Sequence, residues 1–159
     1  MTPPIHVRPM TMSPISQARF GLMLAISIPI VVTDLRFRRI PNWTCGVLFL
    51  SGLVASAFEQ GVSGILWSLG GAVAGLMAFL IFYVLGGMGG GDIKLMAACG
   101  SVIGLQGMPV ALVLAAIIGA VVAVATLLVS WLRSKRAETI PYGPAIVAGS
   151  LLALLGRTG

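Results

Sequence analysis

An all-α bundle of about six transmembrane helices is the architecture that this amino-acid sequence predicts, and three observations support it. Hydrophobic residues make up 58% of the chain and charged residues only 9%, whereas a soluble domain carries about a quarter charged residues. Apolar stretches of about 17 to 25 residues, long enough to cross about 30 Å of hydrocarbon, follow one another along the chain. The few charges lie mostly in the connections between these stretches. We therefore expect a polytopic integral membrane protein.

The predicted segments follow in order from the N-terminus. Residues 1–16 contain four prolines and no apolar periodicity, which predicts an irregular tail before a membrane domain of residues 17–159. The first span is expected to be retained, because no cleavage site of small residues follows its apolar core. The six predicted spans cover residues 19–34, 43–58, 65–85, 93–105, 109–131 and 142–155.

Individual residues support several of these boundaries. Pro29 is expected to kink the first span, and Asn42 is expected to cap the second. Small residues crowd the third span, and such residues permit close helix approach in lipid. Pro144 suits an early position of the last helix, because its missing N–H would have no helical partner there.

The basic residues predict membrane orientation. A net charge of +6 would suggest a nucleic-acid partner in a soluble protein. Here, however, the basic residues flank apolar spans, and the side that is richer in them is expected to face the cytoplasm. The residues expected on the cytoplasmic side are Arg36, Arg38, Arg39, Lys94, Arg133, Lys135 and Arg136, and those expected on the other side are Arg8, Arg19 and Arg157. No nucleic-acid partner is therefore predicted.

Two features of the sequence argue against a zinc site, a disulfide and a nucleotide site. Cys45 and Cys99 lie in apolar segments and form no CxxC pair, so we expect packing residues and neither a zinc site nor a disulfide. The glycine-rich residues 86–91 lack the Gly-Lys-Ser/Thr ending of a phosphate-binding loop, so no nucleotide site is predicted. A flexible linker is the simple explanation for these glycines. Alternatively, these glycines would let the backbone approach an extended substrate closely.

Asp34 and Asp92 are the candidate catalytic residues. The chain has only four acidic residues, and both aspartates lie where an apolar span meets a predicted cytoplasmic connection. Ionisable groups at membrane depth are costly, which makes them functional candidates. Two carboxyls that share one proton can hydrolyse a peptide bond, because one accepts a proton from water while the neutral one donates to the scissile carbonyl. The helix dipoles predict that Asp92 is the more acidic partner and that Asp34 more often carries the proton.

Three sequence blocks resemble the conserved blocks of a known family. The first is Asp34 with the Arg-Arg-Ile-Pro-Asn run that ends at Asn42, the second is Gly89-Gly-Gly-Asp92-Ile-Lys-Leu95, and the third is Pro141-Tyr-Gly-Pro-Ala-Ile146. Together they are similar to the type IV prepilin peptidases, which are GxGD membrane aspartic proteases. The blocks occur in the family's order and spacing, and the resemblance covers about residues 20–155.

The resemblance implies an activity and a set of site residues. The implied reaction is cleavage of the short basic leader of prepilins or pilin-like membrane proteins, after a glycine, at the cytoplasmic face of the bacterial inner membrane. Asp34 and Asp92 would be the catalytic pair, with Gly89 and Gly91 forming the motif around Asp92. The residues that would support the site without a catalytic role are Pro41, Asn42, Lys94, Pro141, Tyr142 and Gly143.

One departure from the family pattern narrows the expectation. Many larger relatives carry an N-terminal cytoplasmic domain with paired CxxC motifs and also N-methylate the new pilin terminus, whereas this chain has neither the length nor the cysteines. It is more similar to the short branch that serves Flp or Tad-type pili. We therefore expect no methyl transfer, no S-adenosylmethionine and no other cofactor or metal.

Two other hypotheses stay open at the level of the sequence. A small ion- or proton-coupled transporter would use Asp34 and Asp92 as ion sites and would place acids near the middle of the bilayer. A non-catalytic scaffold of a pilus or secretion system would tolerate asparagine at both positions. The expected partners are the lipid bilayer and a prepilin-like protein, and the sequence makes no prediction of oligomeric state.

Overall fold

A computed structural model describes residues 14–37, 40–86, 88–132 and 142–158, and the regular structure in these ranges is helical. The helices in chain order are α1 (Pro14–Phe37), α2 (Asn42–Val84), α3 (Gly90–Ile103), α4 (Met108–Leu132) and α5 (Gly143–Thr158). The predicted all-α architecture is confirmed.

Helix α2 consists of two arms that meet at Gly61. This residue is non-helical, with φ 60° and ψ −138°, a positive φ that glycine adopts without steric cost. Gly52 on the first arm (residues 42–60) lies against Ser101 of α3, and Gly71 on the second arm (residues 62–84) lies against Gly100. In a straight helix Gly52 and Gly71 would be about 28 Å apart. The chain therefore folds back at Gly61, and the arms correspond to the second and third predicted spans.

The outer surface of the bundle is apolar. Phe58, Val84 and Trp131 are each more than three-quarters exposed, whereas the hydroxyl-bearing Ser68 and Ser101 are fully buried. Lipid accommodates such a surface and water does not. By length and composition, the described helices that can cross a membrane are Gln17–Phe37, Asn42–Val84 and Met108–Val129. The protein is therefore a multi-pass membrane protein, as predicted, with α3 and α5 as shorter helices.

Helix α3 lies at the centre of the bundle between the two arms of α2. Its backbone contacts α2 directly, because Gly71 and Gly100 lie against each other without side chains between them. The Ser101 hydroxyl donates to the Phe49 carbonyl of the first arm at 3.0 Å, and the Ser68 hydroxyl of the second arm donates to the Ser101 carbonyl at 2.8 Å. Small residues and interhelical hydrogen bonds therefore hold α3 in place, as expected for helices packed in lipid.

Both cysteines belong to the packed interior. Cys45 and Cys99 are free thiols, and both are buried in the hydrophobic core. The interpretation of these cysteines as packing residues is therefore confirmed.

Two local predictions differ from the structure or lie partly outside it. Helix α1 begins at Pro14, so the last three residues of the predicted tail are helical, because proline is tolerated in a first helical turn. The rest of the tail lies outside the described residues. The prediction that Asn42 caps α2 is wrong, because Pro41 occupies the cap position. The Asn42 side-chain oxygen instead accepts a hydrogen bond from Lys94 Nζ at 3.1 Å, and a charged donor of this kind binds more strongly than a backbone N–H.

The up-and-down course of the helices brings distant parts of the sequence to one end of the bundle. The end of α1 and the beginnings of α2, α3 and α5 meet there. At the opposite end Arg19 pairs with Glu59 at 3.1 Å and joins α1 to the first arm of α2. The backbone N–H of Leu105 also donates to the Trp67 carbonyl at that end. The candidate site lies at the first of these ends.

Candidate active site

Two carboxyl groups are buried at the same end of the bundle. Asp34 lies in the last turn of α1 and Asp92 in the first turn of α3. Their relative exposures are 6% and 7%, and no other charged residue in the described ranges is classed as buried. Burial of a charge is costly unless the surroundings compensate for it. The neighbours of each carboxyl therefore decide what the pair can do.

The carboxylate of Asp92 folds back onto the start of its own helix. Gly89 precedes α3 in an extended conformation, and its N–H donates to Asp92 Oδ2 at 3.3 Å. The Asp92 N–H donates in turn to the Gly89 carbonyl at 3.1 Å. Gly91 packs against Ile40, which precedes α2. The glycine-rich segment thus orients Asp92 and brings it next to the connection between α1 and α2.

The carboxylate of Asp34 faces the start of α5. The N–H of Gly143 donates to Asp34 Oδ2 at 3.0 Å, although the two residues are 109 positions apart in the sequence. A Cβ atom on Gly143 would lie 2.5 Å from the same oxygen, which is closer than van der Waals contact allows. A residue without a side chain is therefore required for this contact between α5 and Asp34.

The two carboxyls influence each other electrostatically. Asp92 lies in the first turn of α3. This helix has 14 residues, and at about 1.5 Å per residue it is too short to cross the bilayer alone. Burial, followed by the nearby Asp34 carboxylate, raises the pKa of Asp92 to about 6, and the Gly89 N–H opposes part of this rise. Burial and a nearby like charge both favour a state in which the pair keeps one proton.

The helix-dipole argument for the predicted order of acidity does not hold in the structure. The prediction placed Asp92 at the favourable N-terminal end of a helix and Asp34 at the unfavourable C-terminal end. Asp34 nevertheless also meets the N-terminus of α5 through Gly143, and that dipole favours its ionised form. Helix dipoles alone therefore do not separate the two carboxyls, and the order of their acidities stays a prediction.

The remaining supporting residues that the structure describes contact groups other than the carboxyls. Lys94 and Asn42 are exposed and join each other across the beginnings of α3 and α2. Tyr142 is half-buried, and its ring lies against Gly119 of α4. Pro41 ends the connection before α2. Pro141 lies outside the described residues.

Sequence reasoning missed the contribution of α4. Gly119 of α4 contacts the ring of Tyr142. It belongs to a series of small residues that are spaced three and four positions apart along this helix. That spacing puts the small residues on one face, which in lipid is typical of close helix packing. The uniformly apolar composition of α4 masked this signal.

The fold and the site together define a class: an all-helical, multi-pass membrane protein with two buried, electrostatically coupled carboxyls at one end of its bundle. A comparison with protein families makes the identification more specific. The model of the type IV leader peptidase family matches residues 21–124. The chain belongs to this family, and the resemblance seen in its sequence blocks is confirmed.

Curated relatives share the name prepilin leader peptidase/N-methyltransferase. The protein from Bacillus subtilis is 35% identical over 148 residues, which are 86% of this chain and 58% of the relative. The Legionella pneumophila protein is 32% identical over 146 residues, or 87% of this chain and 50% of the relative. The Aeromonas hydrophila protein is 35% identical over 99 residues, which are 55% of this chain and 33% of the relative. The chain thus spans about half the length of these relatives or less. No solved structure matches it significantly.

Proposed function

We propose that this chain is a membrane-embedded aspartic endopeptidase that removes the basic leader of prepilins or pilin-like proteins. The observation that supports this function best is the pair of buried, coupled carboxyls of Asp34 and Asp92. The pair occurs in a chain of the leader peptidase family whose relatives carry the name of a prepilin leader peptidase. Residues 17–159 form the proposed peptidase domain.

The proposed reaction requires the pair to hold a single proton. The ionised carboxyl takes a proton from a water molecule, whose oxygen bonds to the scissile carbonyl carbon, while the neutral carboxyl donates its proton to the carbonyl oxygen. The tetrahedral intermediate then collapses: one of its hydroxyls returns a proton to the ionised carboxyl, the C–N bond breaks, and the leaving amine takes up the proton of the other carboxyl, so the pair again holds a single proton. This chemistry needs neither a metal nor a covalent intermediate, and no cofactor is proposed.

The backbone contacts suit this reaction. Gly143 and Gly89 each hold one oxygen of a carboxyl, Asp34 Oδ2 and Asp92 Oδ2 respectively. Groups that are already oriented before the substrate arrives lose little entropy during the reaction. The proposed roles are therefore catalytic for both aspartates and positioning for both glycines.

The cellular setting is part of the proposal. The distribution of basic residues favours an inner-membrane protein whose carboxyl pair faces the cytoplasm. Flp or Tad-type pilins are the proposed substrates, and methyl transfer is not part of the proposal. The residues proposed to support the site are Pro41, Asn42, Gly91, Lys94, Pro141 and Tyr142.

Leader cleavage in bacterial membranes tests the assignment. A Flp-type prepilin is co-expressed with wild type, Asp34→Asn, Asp92→Asn or Glu59→Gln, and the amount of each variant inserted in the membrane is measured. Glu59 is the control carboxylate, because it pairs with Arg19 at the opposite end of the bundle. We expect cleavage by wild type and Glu59→Gln and none by either aspartate variant. Full cleavage by either asparagine variant would contradict the aspartic mechanism, and no cleavage even by a correctly inserted wild type would favour the transporter or the scaffold.

A further inference from the structure

An apolar groove runs down the bundle beside the carboxyl pair. It encloses about 500 Å³ between the second arm of α2, helix α4 and the start of α5. Helix α4 packs mainly against α5 and touches α2 only marginally, so the groove separates α4 from the second arm. Its lining residues include Phe79, Phe82, Leu112, Ala116, Ala120 and Tyr142, and none of the described lining residues is charged.

Two residues that line the groove are sequence neighbours of the glycines that hold the carboxyls. Tyr142 lines the groove and directly precedes Gly143, whose N–H holds Asp34. Met88 also lines it and directly precedes Gly89, whose N–H holds Asp92. A chain segment that leaves the site along this groove would therefore start at the proposed reaction centre.

The groove then follows α4 into the apolar part of the bundle. Its lining on α4 extends from Leu112 to Ala123, which is about 17 Å of helix. Most of the α4 residues that line it are small, namely Ala115, Ala116, Gly119, Ala120 and Ala123. Small residues let another backbone come close in lipid. The groove is thus shaped for a polypeptide segment and is chemically suited to an apolar one.

We propose that this groove binds the apolar, membrane-embedded segment of the substrate that adjoins the scissile bond. This proposal rests on the proposed peptidase function. The scissile bond has to reach Asp34 and Asp92 at one end of the bundle. The part of the substrate that stays in the bilayer then needs an apolar path that begins at these carboxyls, and the groove provides one. Because α4 is separated from α2, the segment can enter sideways from the lipid.

A matched pair of tryptophan variants on α4 tests the groove. Ala120 lines it, whereas its neighbour Val121 is 64% exposed on the outer surface. Ala120→Trp fills the groove and should lower the rate of prepilin cleavage by about tenfold or more, a typical effect of a blocked apolar pocket. Val121→Trp should leave the rate within about twofold of wild type. Both variants are compared at equal amounts of inserted, monodisperse protein.

Crosslinking locates the segment without relying on cleavage. In the Asp92→Asn background, Ala116→Cys in the groove and Ile117→Cys on the 56% exposed neighbouring position are each combined with a prepilin that carries one cysteine in its apolar segment. We expect a disulfide with Ala116→Cys and none with Ile117→Cys. The buried Cys45 and Cys99 give the background level.

The outcomes separate this proposal from the proposed function. Suppose that wild type cleaves, that Ala120→Trp and Val121→Trp have equal cleavage rates, and that the two cysteine variants form equal amounts of disulfide. The groove is then not the docking site, and the peptidase assignment stands. Occupation of the groove by lipid alone gives the same result and overturns the proposal. If wild type does not cleave, the peptidase assignment fails, and the docking proposal fails with it unless Ala116→Cys alone still forms the disulfide.

Discussion

Glycines at the beginnings of two helices control both buried carboxyls. Gly143 opens α5 and donates its N–H to Asp34, while Gly89 precedes α3 and donates to Asp92. The first contact is the tighter one, because a Cβ on Gly143 would overlap Asp34 Oδ2, whereas a Cβ on Gly89 would sit at an ordinary 3.5 Å from Asp92 Oδ2. The geometry of Asp34 is therefore the more sensitive to a single methyl group.

Substitution of Gly143 by alanine should move Asp34 away from its position. The overlap with Oδ2 forces the carboxyl or the start of α5 to shift, and displacements of this kind cost about a hundredfold in rate. We expect at least a tenfold loss of prepilin cleavage without loss of membrane insertion. Gly156→Ala is the control, because it lies in the same helix with open space around it. Equal activity of the two variants would show that Gly143 does not position Asp34.

The coupled pair also predicts a pH dependence of the cleavage rate. The pKa of Asp92 is raised to about 6, first by burial and then by the nearby Asp34, so Asp92 loses any proton that it carries as the pH rises through this value. Because the reaction needs that proton, the rate should fall on the alkaline side. Initial rates with purified enzyme between about pH 5 and about pH 8.5 measure this limb. A flat profile over this range would contradict the one-proton mechanism.

Much of the helical architecture follows from the sequence, whereas the contacts between helices do not. Apolar length predicted the segments, and each of the two arms of α2 matches a predicted span. The predicted cap at Asn42 is wrong because Pro41 occupies the cap position, and the Asn42 oxygen instead accepts from Lys94, 52 residues away. Likewise, the contact of Gly143 with Asp34 joins residues 109 positions apart. Local preference predicts where a helix occurs, but it carries no information about which distant group will meet its ends.

Close packing between α2 and α3 should be sensitive to a methyl group. At Gly71 a Cβ would overlap the Gly100 carbonyl, so Gly71→Ala should push the helices apart and destabilise the bundle by about 1 to 3 kcal/mol. Gly46→Ala on the same helix has open space, and alanine favours a helix over glycine by about 0.5 to 1 kcal/mol. Thermal unfolding of both variants in detergent compares these effects. A midpoint for Gly71→Ala at or above that of Gly46→Ala would contradict the packing argument.

At the scale of the whole molecule, the fold gives the two ends of the bundle different chemistry. One end carries the buried carboxyls, whereas the other carries the ion pair of Arg19 and Glu59 near the Gly61 turn. The sequence predicted that Asp34 and Asp92 both lie at cytoplasmic connections, and the family resemblance added Gly143 to the site. The contact of Gly143 with Asp34 agrees with this grouping.

The proposed orientation predicts which end can be labelled from outside the cell. Val62 lies beside the Gly61 turn and Leu85 at the end of the second arm, and both are about three-quarters exposed. In intact spheroplasts a membrane-impermeant maleimide should label Val62→Cys, whereas Leu85→Cys should react only after the membrane is opened. Wild type, with its buried Cys45 and Cys99, gives the background. The reverse pattern would place the carboxyl pair outside the cytoplasm.

The most direct measurement uses purified components. This chain and a Flp-type prepilin are reconstituted alone in lipid vesicles, and the products of wild type and of the Asp34→Asn, Asp92→Asn double variant are identified by mass spectrometry. We expect one cut by wild type, which releases the basic leader, and no cut by the double variant. Equal cleavage by the double variant, or intact prepilin with a correctly inserted wild type, would contradict the claim that these two carboxyls make the chain a peptidase.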